Sequence, residues 1–190
     1  DSDNPDPTVI KAEDGYFYLY ATGGNTWIHK SKDLVHWTYV GGAYEDDKKP
    51  SWEPEAGIWA PDINYINGKY VMYYSLSKWG GGATCGIGVS VSDKPEGPFT
   101  DQGKLFRSNE IDVHNSIDPF YIEDDGKKYL FWGSWYGIWG VELTEDGLGL
   151  KGGIENAKAT KIQVAANTGG TNAYEGSYIL KRGKYYYLFC

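Results

Sequence analysis

The sequence predicts an all-β fold of repeated antiparallel sheets, a β-propeller of which this chain supplies about three and a half blades. Three observations carry that expectation. First, one unit occurs four times: PDPTVIKAEDGYFYLYATG from Pro5, APDINYINGKYVMYYSLS from Ala60, IDPFYIEDDGKKYLFWGS from Ile117 and YEGSYILKRGKYYYLFC from Tyr174. Second, the acids at the head of the copies, Asp6, Asp62, Asp118 and Glu175, are 56, 56 and 57 residues apart, and a fixed period of that size marks a repeat architecture. Third, short branched and aromatic runs alternate with turn residues, and 26 glycines against few helix formers argue for strands.

Taken in order, each unit reads as a meander. Residues 8–10 form a first strand, and Glu13-Asp14-Gly15 turns the chain, because Asp-Gly suits a hairpin. Residues 16–22 carry tyrosines at alternate positions 16, 18 and 20, residues 26–31 form a third strand and 37–40 a fourth. The first blade thus covers about 5–45. Residues 41–57 are rich in charge, Gly and Pro, and either shape a cleft or simply connect blades. The second blade, about 57–108, has strands at 63–66, 70–77 and 86–92 and a weak one near 99–105, with Gly80-Gly81-Gly82 as a loop. The third, about 115–164, has strands at 120–123, 128–134 and 137–143 and a weak one ending near Ile162. The start of a fourth occupies 174–190, with two strands.

Composition narrows the function. The net charge is −8 and no basic patch exists, which argues against nucleic acid. No apolar run approaches the length of a membrane-spanning helix, so no membrane partner is expected. Cys85 and Cys190 are read as free thiols. His29, His36 and His114 lack metal-ligand spacing, and no metal site is expected within the chain. The 17 tyrosines and 8 tryptophans mostly pack between sheets, leaving a minority for a sugar-stacking surface.

The acids are the candidate chemistry. In a propeller the first strand of every blade lines the central channel, so equivalent positions converge at one mouth. Asp6, Asp62, Asp118 and Glu175 are therefore expected to share it. Carboxyls gathered in a cleft push their pKa values apart, so that one serves as acid and another as base, as glycoside hydrolysis requires. An Asp beside a Pro can also merely cap a turn. In Asp62 the order is Pro-Asp rather than Asp-Pro, so it is read as structural or as supporting the site from behind the acids.

PDPTVI at 5–10, WAPDI at 59–63, NSIDPF at 115–120, YLFWGS at 129–134 and YEGSYI at 174–179 together resemble family 43 glycoside hydrolases. The resemblance implies a five-bladed β-propeller, here truncated, that hydrolyses arabinose- and xylose-containing polysaccharides with inversion. It implies that Asp6 is the general base, Asp118 orients the acid and tunes its pKa, and Glu175 is the general acid. Trp59, Asn115, Trp132 and Ser134 lie in or beside the motifs and are candidate sugar-binding residues; for the two tryptophans core packing is the competing role. The run 60–77 with NSIDPF and YEGSYI is most similar to the arabinan-degrading members. An endo-acting α-1,5-arabinanase is the leading reading, and an exo-acting α-L-arabinofuranosidase or β-xylosidase the near alternative. The partner would be a plant cell-wall polysaccharide, arabinan or one derived from xylan. Family members often hold a calcium ion on the propeller axis; its ligand is expected outside these 190 residues, and no other cofactor is expected. Such enzymes work outside the cytoplasm, secreted or periplasmic, although the chain carries no signal peptide.

Two rivals come from other classes. A non-catalytic carbohydrate-binding propeller would share the repeats but need no converging acids. A sialidase-type propeller would carry Ser-x-Asp-x-Gly-x-Thr-Trp turns and an Arg cluster, whereas only Arg107 and Arg182 are present. The endo or exo choice depends on loops 41–57, 78–85 and 165–173. An open stack leaves the run 185–189 uncovered, so the chain is expected to belong to a longer domain. Sedimentation and denaturation of the 190-residue chain test this: association or non-cooperative melting is expected, and a stable monomer with one sharp transition contradicts it.

Overall fold

The repeats fold as antiparallel meanders in the computed structural model, which describes residues 3–166 and 174–190. Strands β1 (Thr8–Lys11), β2 (Phe17–Ala21), β3 (Trp27–Ser31) and β4 (Thr38–Gly42) form the first sheet in sequence order. The second holds β5 (Gly57–Ile66), β6 (Lys69–Ser77), β7 (Gly86–Ser92) and β8 (Thr100–Arg107). The third holds β9 (Phe120–Asp124), β10 (Lys127–Ser134), β11 (Gly137–Glu142) and β12 (Ile162–Ala165). Strands β13 (Tyr178–Arg182) and β14 (Tyr185–Phe189) form a two-stranded hairpin.

Turn chemistry sets the inner hairpins. Asn67-Gly68 and Asp125-Gly126 both take positive φ, and they join Ile66 to Lys69 and Asp124 to Lys127 as two-residue turns. Two left-handed residues in succession match the twist of the flanking strands, which is why Asn-Gly and Asp-Gly sit there.

Strand β6 shows how the sheets stack. Its successive side chains point to opposite faces. Tyr70, Met72, Tyr74 and Leu76 pack with Tyr18, Tyr20 and Ile28 of the first sheet. Val71 and Tyr73 pack with Leu130, Trp132 and Val141 of the third. The second sheet is therefore buried on both faces, and its tyrosines keep their hydroxyls paired. Tyr73 donates to the Gly147 carbonyl at 2.8 Å, and Tyr74 to Asp101 Oδ1 at 2.6 Å.

The structure departs from the sequence reading in three places. Strand β5 starts at Gly57 rather than 63, with a bulge between Trp59 and Asp62. Two helices interrupt the all-strand expectation: α1 (Ser108–Ile111) and α2 (Gly153–Thr160). Helix α2 escaped notice because it buries only Ala157 and has no side-chain cap at its start. Strand β12 begins at Ile162, where the fourth strand of its sheet was expected to end.

Residues 41–57 are tied down. Arg107 pairs with Glu53 and stacks over Trp52, whose indole donates to the Tyr74 hydroxyl at 3.0 Å. The third sheet and the β13–β14 hairpin meet less closely, across an apolar groove lined by Ile122, Phe131, Ile179 and Leu188. Lys181 and Tyr186 both hold Asp124 across it, and Tyr185, Tyr187 and Phe189 remain at least half exposed. Among the described residues no helix is long and apolar enough to cross a membrane.

Leu130 is fully buried between the second and third sheets. Leu130→Ala is expected to cost about 2–5 kcal/mol, from lost transfer energy plus the cavity left behind. Chemical denaturation measures it, and a cost below about 1 kcal/mol contradicts this packing.

Candidate active site

The heads of the first strands meet in one cavity lined by residues 6–8, 60–62, 118–120 and 176–178. In each triplet the first residue is left-handed: Asp6 at φ 50, Ala60 at 39, Asp118 at 58 and Gly176 at 60. That backbone state is unfavourable for any residue with a Cβ, so neighbours must hold it. It also defines the true register of the copies, Asp6, Ala60, Asp118 and Gly176. The expected alignment of four acids is corrected accordingly. Asp62 lies two residues past the equivalent position, and Glu175 one before it. Aligning on acids misled because the shared feature is the left-handed residue, which stands two positions before β1, β9 and β13 and at the bulge within β5. In three of four copies it precedes a proline.

Hydrogen bonds between sheets hold these kinks. Thr22, just past β2, accepts the Ala60 N–H at 2.7 Å and donates to Asp6 Oδ2 at 2.7 Å. The Asp118 N–H donates to Ser75 Oγ of β6 at 2.8 Å. Asp118 Oδ2 in turn accepts the Gly176 N–H at 3.0 Å. Thus the segment that carries Glu175 is fastened to the Asp118 carboxylate.

The acids differ in environment. Asp6 and Glu175 are exposed, whereas Asp118 is half-buried and Asp62 buried. Burial pushes the Asp118 pKa up to about 6; the Gly176 N–H opposes this, and the charges of Glu175 and Asp6 add to it. Those charges couple the three groups in one electrostatic field. Asp62 is pushed up to about 7 by burial, against bonds from Asn64 Nδ2 at 2.9 Å and the Tyr121 N–H at 2.8 Å. Its carboxyl thereby ties β5 to β9.

The candidate sugar-binding residues part company. Trp132 is fully buried, packs on Phe106 and donates its indole N–H to Ser116 Oγ at 2.9 Å. It is a core residue and has no surface to offer a sugar, which corrects that expectation. Ser134 is also buried, and its hydroxyl donates to Glu175 Oε1. Asn115 Nδ2 donates to Ser134 Oγ at 2.9 Å. Trp59 is half-buried and lies 5.5 Å, ring centre to ring centre, from Trp79. Trp79 is 94% exposed and was missed. Its signal was a lone tryptophan heading the Gly80-Gly81-Gly82 loop, where no core can claim it. His36 is exposed on its turn and bonded to Asp33. Cys85 and Cys190 are free thiols. Among the described residues no three His, Cys, Asp or Glu are grouped to hold a metal. Of the three loops expected to set endo or exo action, 167–173 lie outside the described residues.

Stacked four-stranded meanders, with Asp6, Asp62 and Asp118 lining one cavity, form a propeller-type domain. The chain belongs to glycosyl hydrolases family 43, whose description matches residues 1–190. It is 34% identical over 189 residues to arabinan endo-1,5-alpha-L-arabinosidase A of Aspergillus niger, covering 97% of this chain and 56% of that protein. The chain therefore spans little more than half the length of that relative. Among solved structures it resembles the native arabinanase of Bacillus subtilis, with a TM-score of 0.83 at 30% identity over 99% of this chain and 65% of that one. It also resembles an exo-1,5-alpha-L-arabinanase from a bovine ruminal metagenomic library, with a TM-score of 0.80 at 33% identity over 98% of this chain and 63% of that one.

The environment of Asp62 predicts a pH effect. Its folded pKa lies above the ordinary carboxylate value of 3.8, so its contribution is complete below about pH 4 and is lost as pH rises through about 7. Asp62→Asn does not ionise and keeps an oxygen for the Tyr121 N–H. Urea denaturation at pH 5 and pH 8 should show the variant gaining on the wild type at the higher pH. A difference that does not change with pH contradicts the buried, proton-favouring site.

Proposed function

We propose that this chain forms part of an inverting glycoside hydrolase that cleaves α-1,5-linked L-arabinofuranosyl bonds of arabinan. The observation that carries the reading is the meeting of Asp6, Asp118 and Glu175 at the strand heads, with Asp118 coupled to both of the others. A purely carbohydrate-binding propeller has no use for Asp6 and Asp118 in one cavity with the charge of Glu175 acting on Asp118 beside it. The 34% identity to an arabinan endo-1,5-alpha-L-arabinosidase supports the substrate class.

In this reading Asp6, exposed and steadied by Thr22, removes a proton from water as that water attacks the anomeric carbon. Glu175 protonates the departing glycosidic oxygen. Inversion needs space for the water, so the two carboxyls work at a separation of about 6.5–9.5 Å. Asp118 is largely ionised above its raised pKa of about 6. By accepting the Gly176 N–H it fixes the residue next to Glu175 and so orients the acid. The Trp59 and Trp79 rings offer an accessible aromatic surface for furanose rings.

The working enzyme is a longer, five-bladed propeller. Support comes from the half-exposed aromatics of β13 and β14 and from the 56% of the Aspergillus niger protein that the chain covers. Exo action is the second reading, favoured by the 33% identity to an exo-1,5-alpha-L-arabinanase.

In the full-length enzyme, Asp6→Asn and Glu175→Gln are each expected to lower kcat on linear arabinan by about 10²–10⁴-fold. Calorimetry should show arabino-oligosaccharide binding within about threefold of wild type, since a lost transition-state interaction need not weaken ground-state binding. Retention of most activity by either variant removes that residue from the mechanism. Early products of mixed length indicate endo action, and a single short product indicates exo action.

A further inference from the structure

We infer that Asn115 and Ser134 are positioning residues that aim Glu175 and fix which of its oxygens carries the transferable proton. This rests on the reading of Glu175 as general acid. It gives both residues work other than binding sugar directly.

The geometry is a directed chain. Ser134 is buried, so no solvent competes for its hydroxyl. Asn115 Nδ2 donates to Ser134 Oγ at 2.9 Å, which occupies one of its acceptor positions. The serine hydrogen then points at Glu175 Oε1, and the contact is short. A hydroxyl rotor alone would be free to turn and accept; the amide donor behind it fixes the direction. The amide turns its nitrogen to Ser134 Oγ and its oxygen toward Cys85 Sγ at 3.8 Å, a thiol that also has the Ser116 carbonyl and Ser108 Oγ within reach. The Asn115 backbone is left-handed at φ 55, and its N–H donates to the Gly82 carbonyl at 2.6 Å, so the side chain is anchored at its root.

The consequence is chemical. A carboxylic acid that accepts a hydrogen bond at Oε1 carries its proton on Oε2. Glu175 thus delivers its proton from Oε2 to the glycosidic oxygen while the C–O bond breaks and its electron pair passes to the leaving oxygen. The water oxygen bonds to the anomeric carbon, and its proton passes to Asp6. Loss of Ser134 or Asn115 leaves Glu175 able to turn, and assistance to the leaving group suffers before substrate binding does.

Leaving-group dependence reads this out, because an acidic leaving group needs little protonation. The substrates are the phenyl and 2,4-dinitrophenyl glycosides of α-1,5-arabinobiose, tested on the full-length enzyme. Ser134→Ala is expected to lose at least about tenfold more kcat on the phenyl than on the dinitrophenyl substrate, with KM within about threefold. Asn115→Gly, which suits the left-handed backbone and so preserves folding, is expected to show the same split to a smaller extent. Equal losses on both substrates, or a change confined to KM, overturns the positioning role. Glu175→Gln measured alongside separates the two layers. If it shows the split and Ser134→Ala does not, the positioning role fails alone. If Glu175→Gln shows no split, the assignment of the acid fails and the positioning role with it.

Discussion

The structure depends on a hydrogen-bonded latch between neighbouring sheets at the heads of their first strands. A left-handed residue kinks the chain just before β1, β9 and β13 and at the bulge within β5, and after the first sheet a backbone N–H at the kink is held by the sheet before it. Ala60 is held by Thr22, Asp118 by Ser75, and Gly176 by Asp118 itself. Without these partners the kinks at Asp6, Ala60 and Asp118 would relax, because left-handed backbone at a residue with a Cβ is strained by about 1–3 kcal/mol. The same kinks aim the Asp6 and Asp118 side chains into the shared cavity. Stacking and site assembly therefore have one cause.

Asp118 shows how closely the two are joined. Its backbone fastens its sheet to the second one, and its carboxylate fastens the β13–β14 hairpin. Burial makes its charge costly, and the charges of Asp6 and Glu175 make it costlier. The Gly176 N–H returns part of that cost, but only to the ionised form. A carboxyl balanced in this way senses both neighbours. Asp62 presents the contrasting case, buried and bonded only within the protein, and serves to pin β5 to β9.

Much of this was legible in the sequence, and the misreadings have physical causes. Hairpins read well because Asn67-Gly68 and Asp125-Gly126 are local signals that need no tertiary context. The repeat period located the strand heads, but its register was set on acids, whereas backbone conformation is what repeats. That displaced Asp62 and Glu175 by one or two positions. Trp132 was ambiguous because an indole serves core and sugar equally well, and only the neighbouring sheet, through Phe106 and Ser116, decides. Helix α2 has too little apolar periodicity to announce itself. Ser134 and Asn115 stand out in the sequence only for lying near the motifs; the bond of Ser134 to Glu175, and of Asn115 to Ser134, arises from a fold that brings residue 134 beside 175.

The central claim is that Asp6 and Glu175 act on opposite sides of the bond through a water, with no covalent sugar intermediate. The stereochemistry of the first product tests it directly. Proton NMR during the opening minutes of arabinan hydrolysis by the full-length enzyme should show the β-anomer of the new reducing end appearing before mutarotation. If the α-anomer appears first, the configuration is retained, and the assignment of Asp6 as a base is wrong.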